Sequence, residues 1–275
     1  MDKNMDKKIL FVDLDGTLLN DKKEVTAENM DAMKKAGSMG HAIVVTTGRP
    51  LCSAVKQIRK LGLTYEGCYA ITSNGALIYD SFKEETIYLT GVAKDCVREA
   101  FDEAYKFGIH PQTYSDTCVV CEQDNECIQF YANSTLAPYE VHENVMDTLE
   151  NDPIKILFID LHDKSKLERF REHMEGWSKE HDIDMFFSCD QYLEFLPKGV
   201  NKGSGIRFLS DYLNIPYENT IGAGDAENDI TMLTAVALPC VMKNAHSDMY
   251  AYGKYITKRD NNNSGVAEII EKFML

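Results

Sequence analysis

The chain has no Lys/Arg-rich block, and its 29 Lys and Arg are outnumbered by 44 Asp and Glu, for a net charge of −15. A surface of that sign repels polyanions, which argues against nucleic acid as a partner. It does not exclude a small phosphorylated ligand, because a metal ion and local donors decide such binding. No apolar run approaches the about 20 residues that span a bilayer, so no membrane partner is expected. Met1-Asp2-Lys3-Asn4-Met5-Asp6-Lys7-Lys8 is polar and lacks the apolar stretch of a secretory signal, so the expected location is cytoplasmic. There is no internal repeat and no low-complexity linker. The eight cysteines are scattered, and without a secretion signal they are expected to be free thiols. Cys118-Val119-Val120-Cys121, with Cys127 nearby, has the spacing of a zinc or redox pair. No second such pair and no paired histidines follow at finger spacing, so the segment reads as part of a strand.

What is present is a globular composition, 44% hydrophobic and 27% charged over 275 residues, enough for a core with an insertion or for two domains. Residues 8–13 read as a buried strand and 26–39 as a helix capped by Thr26 and closed by Gly40. A second buried strand runs from His41 to Thr47, a helix spans 50–61, and a third strand, from Tyr69, enters an Asn74-Gly75 turn. Strand, helix, strand, helix, strand at this spacing argues for parallel βαβ units. After about residue 86 the texture changes. A helix is expected over 93–107, strand-like alternation over 112–131, and helix late in 138–151. A strand over 154–160, a helix over 164–180 and a strand over 184–188 follow. The first texture returns near residue 193, with a helix from Lys202 to 213, a strand from Thr220 to Asp225, a helix from Asn228 and a closing helix over 264–274. The expected fold class is α/β: a Rossmann-like three-layer core with a parallel sheet, formed by 1–86 and 194–275, plus an inserted α+β cap domain over 87–193.

The chemistry gathers at strand ends. The run Ile9-Leu10-Phe11-Val12 drives into Asp13 and Asp15, two acids one residue apart, and then into Gly16. Side chains alternate along a strand, so the two carboxylates begin on one face and repel each other unless a cation or a proton intervenes. Thr46 and Thr47, Asn74 and Asp225 close three further strands, and Lys202 opens a helix. In an open parallel sheet, ligands bind outside the carboxyl ends of the strands, which places all of these at one edge.

Four segments in order resemble the motifs of the haloacid dehalogenase superfamily of phosphotransferases: Asp13-Leu14-Asp15-Gly16-Thr17, Val45-Thr46-Thr47-Gly48-Arg49, Val200-Asn201-Lys202-Gly203 and Gly222-Ala223-Gly224-Asp225-Ala226-Glu227-Asn228-Asp229. The insertion between the second and third resembles the α/β cap of the Cof-type subgroup, many of which act on sugar phosphates. The resemblance implies a phosphatase. Asp13 is then the nucleophile that forms an aspartyl-phosphate. Asp15 is the acid for the leaving oxygen and later the base for water, with a raised pKa expected. The resemblance also implies Mg²⁺, held by Asp13, Asp225 and the Asp15 main-chain carbonyl, with Asp229 orienting that shell. Thr47 and the Gly48 and Leu14 N–H groups are the implied holders of phosphate oxygens. Lys202 is the implied neutraliser of charge, with Asn228 donating to phosphate and Asn74 lining the site.

Thr47 is equally suited to cap a helix, Asn74-Gly75 to form only a turn, and Arg49 to pair on the surface. In the cap, Tyr114, Asp116, Tyr131 and His142 are candidates to face the substrate. The alternatives are a sugar-phosphate phosphomutase, a phosphatase of nucleotide or cofactor phosphates such as flavin mononucleotide (FMN) or pyridoxal phosphate (PLP), and a regulatory protein that only binds a phosphometabolite. Monomer and homodimer are both compatible with the sequence.

Overall fold

A computed structural model describes residues 7–115 and 117–275. In chain order the first elements are β1 (Ile9–Asp13), α1 (Ala27–Ser38), β2 (Ala42–Thr46), α2 (Leu51–Lys60), β3 (Cys68–Thr72), β4 (Leu77–Asp80) and β5 (Glu85–Leu89). There follow α3 (Lys94–Lys106), β6 (His110–Tyr114), β7 (Val119–Cys121), α4 (Glu126–Thr135), β8 (Tyr139–Val141), β9 (Ile156–Ile159), α5 (Lys164–His173), α6 (Glu175–Glu180), β10 (Ile183–Cys189) and β11 (Tyr192–Pro197). The chain ends with α7 (Lys202–Tyr212), β12 (Thr220–Gly224), α8 (Ile230–Thr234), β13 (Leu238–Val241), β14 (Tyr255–Ile256) and α9 (Gly265–Phe273). Among the described residues no helix is long and apolar enough to cross a membrane.

The chain divides into two compact units. One comprises the described residues up to Gly48, Ala54–Tyr88 and Asn201–Leu275; the other comprises Arg49–Ser53 and the described residues of Leu89–Val200.

The first unit is built on the sheet β14-β13-β12-β1-β2-β3-β4-β5. Its strands from β14 to β3 are parallel, and β4 turns back antiparallel on β3. Every residue of β1 and β2 is buried, as expected of strands covered on both faces. Leu10, Val12, Ile43 and Val45 face α1 and α9 through Met33, Ala36, Val266 and Ile270. Their neighbours Ile9, Phe11, Ala42 and Val44 face the other way, toward Ile206 and Leu209 of α7 and Met232 of α8. The result is the three-layer α/β arrangement, and the period-2 alternation of the strands produces it. Thr26 caps α1, its hydroxyl accepting the Asn29 N–H at 3.3 Å.

The second unit carries the sheet β10-β11-β9-β6-β7-β8, antiparallel except for β7 with β8. Phe101, Phe158, Phe170 and Phe195 fill one face, and Tyr114, Ile128, Tyr131 and Leu157 the other. Cys118 belongs to the first face and Cys121 to the second, so the two thiols do not share a site.

Several segments depart from the sequence-based expectation. Tyr192–Pro197 pairs with β9 and β10, so the residues from 194, expected in the core, lie in the second sheet. An apolar strand carries no mark of which sheet it joins. The alternation over 112–131 ends in α4, because the Asn125 side chain accepts the Cys127 and Ile128 amides and nucleates a helix there. Residues 138–151 form the short strand β8 and a 3-10 turn at Val145–Thr148. The single helix expected over 164–180 is two, joined at the buried Met174.

Candidate active site

Asp13 is the last residue of β1, and its side chain is buried. Beyond it the Asp13 and Leu14 carbonyls accept the Leu18 and Leu19 amides at 3.1 and 2.8 Å, which curls the chain over the end of the sheet. Gly16 makes that curl possible. Its φ is +86°, and a Cβ there would lie 2.3 Å from Asp225 Oδ2. The strand ends at Asp13, so strand alternation does not reach Asp15. Asp15 is half-buried, and its carboxylate accepts from Lys23 Nζ at 2.7 Å.

Lys202 opens α7, whose N-terminus is fixed by Asn201: its side chain accepts the Ser204 amide, while Ser204 Oγ accepts the Asn201 amide. The Lys202 ammonium is buried and donates to Asp13 Oδ1 at 2.6 Å and to Asp229 Oδ1 at 2.7 Å. The other oxygen of Asp229 accepts the Asp225 and Ala226 amides at 3.0 and 3.1 Å, so both its oxygens are engaged. Asp225 follows β12 directly, and Thr17 Oγ1 donates to its Oδ1 at 2.6 Å. Asp13, Asp225 and Asp229 each offer an oxygen within 4.8 Å of the others.

Burial, and then the Asp229 carboxylate, push Asp13 from the ordinary 3.8 up to about 8, against the pull of Lys202. Burial likewise raises Asp225 to about 6, with Thr17 working against it and Asp229 adding to it. Burial also opposes the charge on Lys202, yet Asp13 and Asp229 outweigh it and raise its pKa. The pulls on Asp13 and Lys202 agree once charge is counted: one ammonium stands among more than one carboxylate, so the lysine stays charged while Asp13 and Asp225 are raised.

The ends of β2 and β3 form a second group. The Thr47 amide donates to Ile71 O at 2.8 Å and the Asn74 amide to Thr47 O at 3.2 Å. Asn74 is buried with φ +55°, and its Oδ1 lies 3.0 Å from where a Gly48 Cβ would stand. Gly75 approaches α7 so closely that a Cβ would meet Asn201 O at 2.3 Å.

Thus Asp13, Lys202, Asp225 and Asp229 are drawn into one hydrogen-bonded cluster, and Thr47 and Asn74 are joined by a second hydrogen bond, with Gly48 packed against the Asn74 side chain. Leu14 is buried on the loop between Asp13 and Asp15, and Asn228 stands exposed one residue before Asp229. Sequence reasoning did not anticipate Thr17 on Asp225, Lys23 on Asp15, or Asn244 Nδ2 donating to Gly16 O at 2.7 Å. Thr17 had a signal, since it lies inside the first motif; Lys23 and Asn244 had none. In the second unit, Tyr114 and Tyr131 are buried with their hydroxyls 2.8 Å apart, and His142 Nε2 lies 3.0 Å from Glu140. Asp116 lies outside the described residues.

A family model described as haloacid dehalogenase-like hydrolase matches residues 10–270. The chain belongs to this family. This haloacid dehalogenase-like hydrolase is 32% identical to M6_Spy0533 of Streptococcus pyogenes serotype M6, over 98% of this chain and 100% of that one. It is 27% identical, over 99% of this chain and 98% of the relative, to a Bacillus subtilis protein, YcsE, named 5-amino-6-(5-phospho-D-ribitylamino)uracil phosphatase. A crystal structure of a haloacid dehalogenase-like hydrolase from Bacteroides thetaiotaomicron superposes with a TM-score of 0.89, at 25% identity, covering 97% of this chain and 99% of that one. Within the family this hydrolase is a phosphatase.

Proposed function

We propose that the protein is a Mg²⁺-dependent phosphatase of small phosphorylated metabolites, sugar phosphates foremost, and that it works through an aspartyl-phosphate on Asp13. The observation that carries this reading is the Lys202 ammonium shared between Asp13 and Asp229 beside Asp225. A buried strand-end carboxylate needs no such company for structure alone, but an in-line attack on a phosphate dianion needs compensated charge.

The oxygen-only donor set of Asp13 and Asp225 suits a hard divalent ion, with the Asp15 carbonyl completing the protein's share. Bound there, Mg²⁺ would offset negative charge on the phosphoryl oxygens. Asp229 orients these groups rather than ligating, since Lys202 and two amides already engage its oxygens.

An Asp13 oxygen attacks phosphorus as the bond to the leaving oxygen breaks, and Asp15 delivers the proton to that oxygen. Asp15 then takes a proton from the water that attacks the aspartyl-phosphate. Thr47 and the Leu14 and Gly48 amides hold the phosphoryl oxygens, Asn74 and Asn228 flank them, and Lys202 balances charge on Asp13. The ribityl phosphate in the name of the YcsE relative is a phosphorylated polyol, which supports the sugar-phosphate class.

Phosphate release from a panel of sugar, polyol, nucleotide and cofactor monophosphates, with Mg²⁺ and with chelator, tests the reading. Metal-dependent release concentrated among sugar and polyol phosphates supports it. Release confined to nucleotides, FMN or PLP removes the substrate class. An isomer in place of free phosphate makes the protein a mutase.

A further inference from the structure

We propose that the outer face of α7 is a self-complementary dimer interface, joining two copies of this chain through antiparallel pairing of their α7 helices. The inference concerns a surface away from the carboxylate cluster and does not depend on the substrate.

The inner face of α7 is buried through Ile206 and Leu209. Its outer face carries Arg207, Phe208, Asp211 and Tyr212, all exposed. Phe208 is 36% exposed and Tyr212 53%. These aromatics form a ledge rather than isolated side chains. The Phe208 and Tyr212 rings are stacked, 6.3 Å between centroids at 10°, and Tyr88 of β5 lies against Phe208 at 4.6 Å. A contiguous aromatic patch held in fixed geometry at the surface is the usual mark of a docking face.

Charge selects the occupant. Residues four apart share a column on a helix, so Arg207 and Asp211 form one column and Phe208 and Tyr212 the next. Arg207 and Asp211 make no ion pair with each other or with any other of the described residues. Now place a second α7 antiparallel to the first, related by a two-fold axis that lies across the helices between residues 207 and 212. That axis keeps each column on its own side and reverses its direction. Arg207 then faces Asp211 of the second copy, and the reverse pair forms as well. Phe208 faces Tyr212 of the second copy, twice. One rotation satisfies both charges and covers all four aromatic rings. This is the isologous pattern of a two-fold dimer. A partner of other sequence has no reason to present the mirrored order of charge and ring. A contact of one helix face with another falls at the low end of the interface range, below about 1,200 Å², so the dimer dissociates reversibly on dilution.

Sedimentation velocity of the full chain, over a concentration series at near-physiological salt, is the test. The wild type is expected to pass from monomer to dimer as concentration rises. Arg207→Asp sets acid against acid at both contacts, and Asp211→Arg sets base against base; each should weaken the dimer by about tenfold or more. The combined R207D/D211R chain restores both pairs in reverse and should recover the wild-type dissociation constant within about threefold. Phe208→Ser should weaken the dimer without affecting circular dichroism, because the residue lies on the outer face. A wild type that stays monomeric throughout overturns the proposal. So does a dimer indifferent to these substitutions, which puts the interface elsewhere, or a double variant as weak as the single ones, which shows that the two residues do not face each other.

Discussion

Lys202 Nζ lies 2.6 Å from Asp13 Oδ1, across 189 residues of sequence, and the same ammonium holds Asp229 at 2.7 Å. The N-terminus of α7, the end of β1 and the start of α8 are thereby locked together by one charge. These three groups and Asp225 together are short of positive charge, and the behaviour expected of the site follows from that shortage.

Asp13→Asn is expected to abolish turnover and leave the protein folded. The amide keeps the shape, and Asp229 still pairs Lys202, so no buried ammonium is orphaned. Phosphate release and thermal unfolding of the variant check this together; a wild-type rate would remove Asp13 as nucleophile.

Asp15→Asn should lower the rate by at least ~10², in line with the loss of a general acid and base. Asp15 contacts Lys23 and lies outside the buried cluster, so the melting temperature should scarcely move. A substrate with a good leaving group should suffer less than an alkyl phosphate, since it needs no proton at the first step. Equal losses for both substrates would argue against the acid role.

Lys202→Ala removes the buried ammonium that Asp13 and Asp229 share and should cost about 3–5 kcal/mol, as for other broken buried pairs. The cost should be smaller at pH 5 than at pH 8, because protonation relieves the repulsion. Added Mg²⁺ should recover part of it. Denaturant unfolding at the two pH values, with and without the metal, measures each part; a pH-independent, metal-insensitive loss would mean that packing rather than charge was removed.

The pH dependence of the metal-free protein has a definite sign. Asp13 is pushed up to about 8 and Asp225 to about 6, both above the ordinary 3.8, so the folded state holds more protons than the unfolded one over that range. Their contribution to stability is complete below about pH 4 and is lost as pH rises, for Asp225 by about 6 and for Asp13 by about 8. Bound at the proposed site, Mg²⁺ would displace those protons, so its affinity should increase over the same interval. Calorimetric titration with Mg²⁺ from pH 5 to 8 reads this directly, and a flat affinity would contradict it. Thr17→Val, which deletes the hydrogen bond to Asp225 Oδ1, should weaken Mg²⁺ by about 10–100-fold at fixed pH.

Much of the first unit was legible because its signals are local. Val12 running into Asp13, Thr26 ahead of an amphipathic helix, and Asp225 after Thr220–Gly224 each mark an element and its end. The parallel order then brings those ends to one edge. What was not legible depends on distance in space. Nothing near Tyr192–Pro197 shows that this strand pairs with β9 rather than with a core strand. Nor does the sequence show that Lys202 reaches two acids at once, that Thr17 turns back onto Asp225, or that Lys23 meets Asp15. The helix α4 was hidden by its β-like flanks, although Asn125 was there to cap it.

The most direct test is to trap the phosphorylated enzyme. The Asp15→Asn variant, mixed with a radiolabelled substrate bearing a good leaving group and quenched in acid, should retain phosphate in a hydroxylamine-sensitive bond. Peptide mapping should place the label on Asp13, and the Asp13→Asn/Asp15→Asn chain should hold none. Label on another residue, or label that survives loss of Asp13, would contradict the account.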